Sequence, residues 1–203
     1  VTRLASIVKM MNASLGLMFD EDADKILLVD DKGRSIAGDE AIAAMVKMAL
    51  EVKGKGKIVV SSTSSRVIEK IAQQYGAKVE RVSYGIRGIA RSSSDEEVII
   101  AGDERGAFII PPISQTPDGF ASALFIVEYL VSSGMKLSEL IDSLPKSSMA
   151  HREVPLSFGK RGAFLRTLLD NIKENVVDTM DGLKLVEDRG WVHIHPRTHE
   201  PII

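Results

Sequence analysis

The chain has 203 residues, of which 44% are hydrophobic and 27% are charged, and its formal net charge at pH 7 is -2. Composition of this kind is typical of folded soluble proteins, and so small a net charge gives no general attraction to nucleic acid or to an anionic membrane. The chain contains no cysteine, which excludes disulfides and thiolate metal sites. No secretory or membrane-length apolar segment is present, so we expect a cytoplasmic chain that binds neither nucleic acid nor membrane.

The first 52 residues predict a helix, a loop, a strand, a turn and a second helix. The first helix is indicated by the spacing of Leu4, Ile7, Val8 and Met11, and the strand by the apolar run at 26–29. Asp39 is the predicted cap of the second helix, whose apolar face carries Ile42, Met45, Val46, Ala49 and Leu50. The Lys-Gly-Lys-Gly-Lys run at 53–57 then predicts a domain boundary.

Residues 53–148 predict an α/β domain with a largely parallel sheet, because strands and helices alternate there. Strands are predicted at 58–60, 78–83, 97–101 and 107–110, and helices after 65, from 118 to 133 and from 138 to 143. The serine-rich segment 61–65 suits either helix capping, which we favour, or phosphate binding at a helix N-terminus.

Residues 149–203 predict a small α+β domain. A strand is expected at 153–156, a helix around Phe164 to Ile172, and a hairpin from strands at 183–186 and 191–195 with its turn at 187–190. His193 alternates with Val192 and Ile194, which favours a position on the exposed face of its strand over a ligand role. The chain begins at Val1 and ends at Ile203 without a terminal helix, as a piece of a longer protein would.

Three aspartates occupy alternate positions in the segment Phe-Asp-Glu-Asp-Ala-Asp-Lys at 19–25. In an extended backbone Asp20, Asp22 and Asp24 would project to one side, where like charges must diverge into water, take up protons or share a cation. A hard ion such as Mg²⁺ suits these ligands, and a solvated acidic turn is the alternative. A helix-loop-helix calcium site does not fit, because Lys25 stands at its glycine position and Asp31 at its glutamate position.

The order of motifs resembles the α-D-phosphohexomutases, the phosphoglucomutase and phosphomannomutase enzymes. Segment 19–25 is similar to their Phe-Asp-Gly-Asp-Ala/Gly-Asp-Arg magnesium loop, and 82–87 to a Gly-x-Arg/Lys turn near the substrate. Segment 102–107 is similar to their Gly-Glu-x-Ser-Gly-His sugar loop, and 195–201 to their Arg-Pro-Ser-Gly/Asn-Thr-Glu-Pro phosphate loop. The resemblance covers nearly the whole chain and implies the end of the second domain (1–52), the third (53–148) and most of the fourth (149–203).

The resemblance also implies the fold class and the site. It implies α/β domains with mixed sheets plus a small C-terminal α+β domain, a Mg²⁺ cofactor and a hexose phosphate substrate. The implied residues are the metal ligands Asp20, Asp22 and Asp24, the catalytic Lys25, the substrate-binding Arg87, Asp103 and Arg105, and the phosphate-binding His195, Arg197, Thr198 and His199. The family's first domain, which carries the serine that transfers the phosphoryl group, lies outside the chain. We therefore expect the chain alone to be inactive, with that domain supplied in cis or in trans.

Several residues depart from the family pattern. Lys25 keeps the charge of the usual arginine but lacks its planar fork, and Glu21 replaces a glycine. In the sugar loop, Asp103, Arg105 and Ala107 replace glutamate, serine and histidine, which alters the expected contacts with sugar hydroxyls. In the phosphate loop, His195, Arg197 and His199 replace arginine, serine and threonine.

Three functions are consistent with these residues. The first is part of a phosphohexomutase, an isomerase that moves phosphate between the 1 and 6 positions of a hexose through a bisphosphate. The second is a diverged, non-catalytic module that binds a phosphorylated sugar or another chain, and the third is a purely structural fragment.

Overall fold

The computed structural model describes residues 1–146, 148–150, 152–172, 176–187, 190–197 and 199–203. The chain divides into two compact units, Val1–Ser147 and Ser148–Ile203. The division lies one residue from the boundary predicted after 148, whereas the boundary predicted after 52 falls inside the first unit. Among the described residues, no helix is both long and apolar enough to cross a bilayer.

The first unit begins with a helix and a small antiparallel sheet. These elements are α1 (Thr2–Met11), β1 (Leu15–Phe19), β2 (Ile26–Asp30) and β3 (Ser35–Ile36), and the strand order is β1-β2-β3. The strand β1 was not predicted, and it pairs with β2 so that Phe19 lies opposite Ile26. Residues 20–25 therefore form the loop of a hairpin, and the prediction that the three aspartates lie on an extended backbone is wrong.

A second, mixed sheet follows in the same unit. Its elements are α2 (Asp39–Lys53), β4 (Lys57–Ser61), α3 (Val67–Gln74), β5 (Lys78–Val82), α4 (Ile86–Ser92), β6 (Val98–Gly102), β7 (Phe108–Ile109), α5 (Gly119–Ser133) and α6 (Leu137–Asp142). The strand order is β5-β4-β6-β7, with β5, β4 and β6 parallel and β7 antiparallel to β6. The predicted fold class, an α/β layer with a mixed and largely parallel sheet, is confirmed.

The helix α2 explains why no boundary lies after residue 52. It is buried along most of its length, and its apolar residues share one core with Leu28 of β2 and with Ile58 and Val60 of β4. Cutting the chain after 52 would expose this shared surface, so the two segments form one unit. On the opposite face of the sheet, Val59 packs in a second cluster with Ile89 of α4, so that helices cover both faces.

The predicted cap of α2 is also wrong. The N-cap is Gly38, with φ 61. The Asp39 carboxylate instead accepts a hydrogen bond from the backbone N–H of Ser65, with an Oδ1–N distance of 2.6 Å. The side chain that sequence pattern assigned to a local cap therefore connects α2 to the segment that precedes α3.

The second unit contains one helix and an antiparallel sheet, as predicted for an α+β domain. Its elements are α7 (Phe158–Ile172), β8 (Val176–Asp178), β9 (Leu183–Glu187) and β10 (Gly190–Ile194), with strand order β10-β9-β8. The hairpin of β9 and β10 was predicted, while residues 188 and 189 of its turn lie outside the described residues. The strand expected at 153–156 is reduced to one bridge between Pro155 and Ile202, and β8 was not predicted.

Candidate functional site: the acidic loop and its cleft

The acidic loop, residues 20–25, is closed by its own first and last side chains. The Lys25 ammonium lies 2.9 Å from Asp20 Oδ2, and the Lys25 backbone N–H donates to Asp20 Oδ1 at 3.0 Å. The hydrogen bond from the Lys25 side chain lowers the pKa of Asp20, and the same bond raises the pKa of Lys25. Lys25 is therefore a cation at neutral pH, which suits electrostatic stabilisation of negative charge rather than proton abstraction.

The N-terminus of α5 supports the acidic loop from one side. The Gly119 N–H donates to the Ala23 carbonyl at 2.8 Å, and a Cβ at position 119 would lie only 2.6 Å from that oxygen. Ala23 itself has φ 57, in the left-handed region that non-glycine residues rarely adopt. The rings of Phe19 and Phe120 stack with centroids 4.6 Å apart. These contacts fix the path of the loop.

The donor chemistry of the acidic loop suits a divalent cation, since carboxylate oxygens are the ligands that Mg²⁺ prefers. The conformation does not provide a finished site, however. Within the described parts of the chain, no three acidic or histidine side chains are grouped closely enough to hold one ion. Asp20 is also engaged by Lys25. The loop would have to rearrange, and the Asp20–Lys25 pair to open, before the three aspartates could share a cation.

The 102–107 loop, which resembles the family's sugar loop, lies directly against the start of β2. Gly106 accepts a hydrogen bond from the Ile26 N–H at 3.0 Å, and Lys25 forms a β-bridge with Ala107. Gly106 has φ +87, and a Cβ there would collide with the Ile26 carbonyl oxygen. Glycine is therefore required at this position, and its backbone joins the 102–107 loop to the acidic loop.

Asp103 is fully buried and its carboxylate is used within its own loop. Asp103 Oδ1 accepts from the backbone N–H groups of Arg105 at 3.0 Å and Ala107 at 3.3 Å. Asp103 Oδ2 accepts from Arg105 Nε at 2.9 Å and Nη2 at 2.6 Å. The Arg105 guanidinium also lies over the Tyr84 ring, 4.6 Å from its centroid. Two partners therefore hold Arg105, and Asp103 has no surface available to a ligand in this arrangement.

An open cleft of about 550 Å³ brings the acidic loop and Arg105 together. Its walls include Asp20, Asp22, Lys25 and Arg105. Two predicted metal ligands and two cationic side chains therefore line the same open space. Among the residues predicted for metal binding, catalysis and substrate binding, these four line the cleft. Asp24 and Arg87 do not line the cleft. Asp103 does not line it either, but its carboxylate holds the Arg105 side chain that does.

The carboxyl ends of β4, β5 and β6 meet at one edge of the sheet, where open α/β sheets commonly bind ligands. The 102–107 loop follows β6, and Arg87 is exposed in the first turn of α4, which follows β5. The helix α4 was not predicted, because it is short and glycine lies at positions 85 and 88.

The serine-rich segment 61–65 follows β4 and is occupied by internal contacts. Glu104 accepts hydrogen bonds from Thr63 Oγ1 at 2.7 Å and Ser64 Oγ at 3.0 Å. The Arg81 guanidinium donates to the Ser64 carbonyl at 2.7 Å and pairs with Glu69 at 2.8 Å. The segment therefore has a structural role, but the favoured prediction of helix capping is wrong, because the N-cap of α3 is Arg66 and no side chain makes a cap hydrogen bond there. The hydrogen bonds of Glu104 with Thr63 and Ser64 were not predicted. The only signal in the sequence for a role of Glu104 is its position within the sugar-loop motif.

In the second unit, the residues predicted to bind phosphate lie on the loop after β10. His195 Nδ1 lies 2.6 Å from the Asp181 carbonyl oxygen, and His199 is exposed. Arg197 pairs with Glu153 at 2.8 Å and with Glu200 at 3.4 Å, so two carboxylates compete for the guanidinium that would hold phosphate. Thr198 lies outside the described residues.

His193 is not on an exposed face, contrary to the prediction. Its Nδ1 atom is buried and has no hydrogen-bond partner in the described structure. Burial lowers the pKa of His193 to about 4, and the neighbouring His195 and Lys184 act in the same direction. The side chain is therefore neutral at physiological pH.

Comparison with known proteins identifies the family. Residues 37–148 match the family model described as phosphoglucomutase/phosphomannomutase, alpha/beta/alpha domain III. A relative named phosphoglucomutase/phosphomannomutase from Thermococcus kodakarensis is 36% identical over 97% of this chain and 43% of its own length. The chain spans less than half the length of these curated relatives, which include a probable phosphoglucosamine mutase from Methanopyrus kandleri.

Solved structures show the same fold. A phosphoglucomutase/phosphomannomutase family protein from Burkholderia thailandensis superposes with a TM-score of 0.83 over 98% of this chain and 43% of its own, at 18% identity. An Aspergillus fumigatus N-acetylphosphoglucosamine mutase, solved with GlcNAc-6P and magnesium, has a TM-score of 0.57 at 12% identity, over 79% of this chain and 40% of its own. With the family model matching more than half of its residues, the chain belongs to the phosphoglucomutase/phosphomannomutase family.

Proposed function

We propose that this chain is the divalent-cation- and hexose-phosphate-binding part of a phosphohexomutase. In the complete enzyme, phosphate would move between the 1 and 6 positions of a hexose, and the phosphoryl-carrying serine would come from a segment outside this chain. The chain alone would bind ligands without turnover. The observation that carries the proposal is the cleft in which Asp20, Asp22, Lys25 and Arg105 meet.

The roles follow from the charges that the residues carry. Phosphoryl transfer depends mainly on positioning and on neutralising negative charge, and less on covalent chemistry by the protein. Asp20, Asp22 and Asp24 would hold Mg²⁺, which supplies positive charge beside the reacting phosphate. Lys25, protonated and next to these carboxylates, would contribute a second positive charge. Arg87 would contact the substrate from the carboxyl edge of the sheet.

The loop after β10 would hold the phosphate that does not react. Arg197 provides a fork of N–H donors matched to phosphate oxygens, and His199 would contribute a further donor, together with Thr198. His195, whose Nδ1–H faces the Asp181 carbonyl, would donate to phosphate through Nε2 only in its protonated form. The ion pairs of Arg197 with Glu153 and Glu200 would have to open when phosphate binds. Phosphate binding should therefore weaken with rising ionic strength. It should also be weakened by the two carboxylates that compete with phosphate for Arg197.

The alternative is a module that binds a phosphorylated sugar and takes no part in catalysis. Two observations favour it. Asp20, a predicted metal ligand, is paired with Lys25, and Asp103, which stands where the family's sugar loop has a glutamate, is buried. A module of this kind would bind hexose phosphate without any requirement for a divalent cation.

Calorimetry on the full chain separates these functions. We expect Mg²⁺ or Mn²⁺ to bind, and Asp22→Asn combined with Asp24→Asn to weaken that binding at least about tenfold, because two anionic oxygen ligands are lost. Glu96→Gln, at an exposed acidic position outside the cleft, is the matched control. Glucose 6-phosphate should bind more tightly in the presence of the cation.

Each result has a defined meaning. No cation binding, or binding that Glu96→Gln weakens as strongly as the double substitution, would contradict the metal role. Equal glucose 6-phosphate affinity with the cation and with a chelator would favour the non-catalytic module. No affinity for any hexose phosphate would refute both.

A further inference from the structure

The loop after β10 is closed by hydrogen bonds of its own backbone. The Arg197 N–H donates to the Ile202 carbonyl at 3.2 Å, and the Ile202 N–H donates to the Glu200 carbonyl at 2.8 Å. Beyond the loop, Val154 and Ile203 exchange two backbone hydrogen bonds at 2.9 and 3.0 Å. The backbone position of Arg197, which would hold phosphate, therefore depends on where residues 200–202 lie.

Arg161, in the first turn of α7, lies against this closure. Its Nη2 atom donates to the carbonyl oxygens of both Glu200 and Ile202, the second at 3.4 Å. The Ile202 oxygen thus accepts from the Arg161 guanidinium and from the Arg197 backbone N–H. A helix side chain that no sequence motif singled out therefore contacts the atom that closes the loop.

Stability alone does not account for an arginine at position 161. The guanidinium lies over the Phe158 ring, 4.3 Å from its centroid, and the side chain is partly buried. Arg161 Nε is buried and has no hydrogen-bond partner in the described structure. A buried donor left unpaired costs free energy, which favours a role for this side chain beyond packing.

The role that fits these contacts is control of the path of the loop. Carbonyl oxygens are partly negative and repel an anion, and Arg161 binds two of them. Since two of its three guanidinium nitrogens are engaged or buried, Arg161 acts on the loop and not directly on a ligand. Arg197, whose backbone is fixed by the closure, carries the guanidinium fork that matches phosphate.

We propose that Arg161 is a positioning residue for phosphate. By binding the carbonyl oxygens of Glu200 and Ile202, it holds the loop after β10 closed and so places Arg197 for an incoming phosphate. This inference rests on the proposed function, which assigns the non-reacting phosphate to this loop. All of the residues involved belong to the second unit.

Inorganic phosphate is the probe, and NMR on the full chain reports its binding at this loop. Shifts of the backbone amide resonances of residues 199–203 measure occupancy, so phosphate bound elsewhere on the chain does not interfere. Arg197→Gln should weaken this binding at least about tenfold, because the guanidinium fork is lost. That variant establishes that the amide shifts report the proposed phosphate site.

Variants of α7 then test Arg161. Arg161→Gln should weaken phosphate binding at least about tenfold, because the charged hydrogen bonds to the two carbonyls are lost. Arg161→Lys should stay within about threefold of the original chain, since one nitrogen makes both bonds and an ammonium carries three donors. Arg166→Gln is the matched control: Arg166 is exposed on the same helix, and its Nε donates to the Gly162 carbonyl at 3.3 Å. The control should change the affinity by less than about twofold.

Amide hydrogen exchange distinguishes positioning of the loop from general stability. The Arg197 amide donates to the Ile202 oxygen, so its exchange should be at least about tenfold faster in Arg161→Gln. The amides that pair β9 with β10 should keep their rates. Faster exchange throughout both strands would assign Arg161 to the stability of the unit and overturn the inference.

The outcomes separate the inference from the proposed function. If phosphate shifts none of these amides, or Arg197→Gln leaves the affinity unchanged, the proposed phosphate site fails and the inference fails with it. If Arg197→Gln weakens binding but Arg161→Gln stays within about threefold of the original chain, the proposed function stands and the inference is overturned. Equal weakening by Arg166→Gln would also overturn it, because any lost positive charge would then have the same effect. So would an Arg161→Lys affinity as low as that of Arg161→Gln.

Discussion

Lys25 Nζ lies 2.9 Å from Asp20 Oδ2, so a predicted metal ligand and the cation beside it neutralise each other in this conformation. The same bond lowers the pKa of Asp20 and raises that of Lys25. A divalent cation bound by the acidic loop must compete with the ammonium for this carboxylate. Lys25 would then be released toward the cleft when the metal binds.

This competition predicts opposite effects for two substitutions. Lys25→Gln should tighten Mn²⁺ binding severalfold, because it removes the competing charge, whereas Asp20→Asn should weaken it at least about tenfold, because it removes a ligand. Calorimetric titration with Mn²⁺ measures both. Lys55→Gln, which removes a lysine from the exposed turn before β4, is the control for the general loss of positive charge. Weaker Mn²⁺ binding by Lys25→Gln would contradict the competition.

Gly106 predicts a steric effect at the junction of the two loops. Gly106→Ala must adopt φ +87 and place its Cβ against the Ile26 carbonyl. Gly134→Ala is the matched control, since its φ is +67 and no atom lies within 4 Å of the added Cβ. The control should cost about 1–2 kcal/mol, and Gly106→Ala at least about 1 kcal/mol more, measured by urea unfolding. Equal costs would show that the close approach to Ile26 is not maintained in solution.

The neutral, partly buried His193 predicts a pH dependence of the second unit. Its pKa is about 4 in the folded chain and ordinarily 6.5, so between these values the unfolded chain binds more protons. The free energy of unfolding should therefore fall as the pH falls from about 6.5 to about 4, and it should be insensitive to this group above that range. Fluorescence of Trp191, the single tryptophan, reports unfolding in the same strand.

Substitutions identify the source of that pH dependence. His193→Gln should flatten the dependence between pH 6.5 and 4, while His199→Gln, at an exposed position, should leave it unchanged. If His193→Gln keeps the slope of the original protein, the burial of His193 is not responsible.

The elements that sequence pattern predicted well are those with a strong local signal. The long helix α5 has an aspartate cap, Asp118, whose side chain accepts from the Ala121 N–H at 2.9 Å, and it ends before Gly134. The hairpin of β9 and β10 forms as predicted, with Gly190 opposite Glu187. In both cases the interactions that form the element join residues a few positions apart, so the local sequence pattern is enough to predict it.

The features that were missed depend on contacts between distant residues. Asp39 looks like a helix cap, but its carboxylate binds Ser65 across 26 positions. The path of residues 20–25 is determined by pairing of β1 with β2 and by the contact between Ala23 and Gly119, neither of which the aspartate spacing contains. The family motif indicated that the 102–107 loop is functional. It did not indicate that Asp103 is buried and that Arg105 replaces it at the cleft.

The most direct test of the account is the location of a bound paramagnetic cation. Substoichiometric Mn²⁺ broadens NMR signals of nearby nuclei, so amide resonances of the assigned chain locate the ion. We predict that residues 20–25 broaden first and that the 102–107 loop, which lies against the start of β2, follows. Broadening confined to other acidic surfaces, or unchanged by Asp22→Asn with Asp24→Asn, would contradict the assignment of the acidic loop as the metal-binding part of the site.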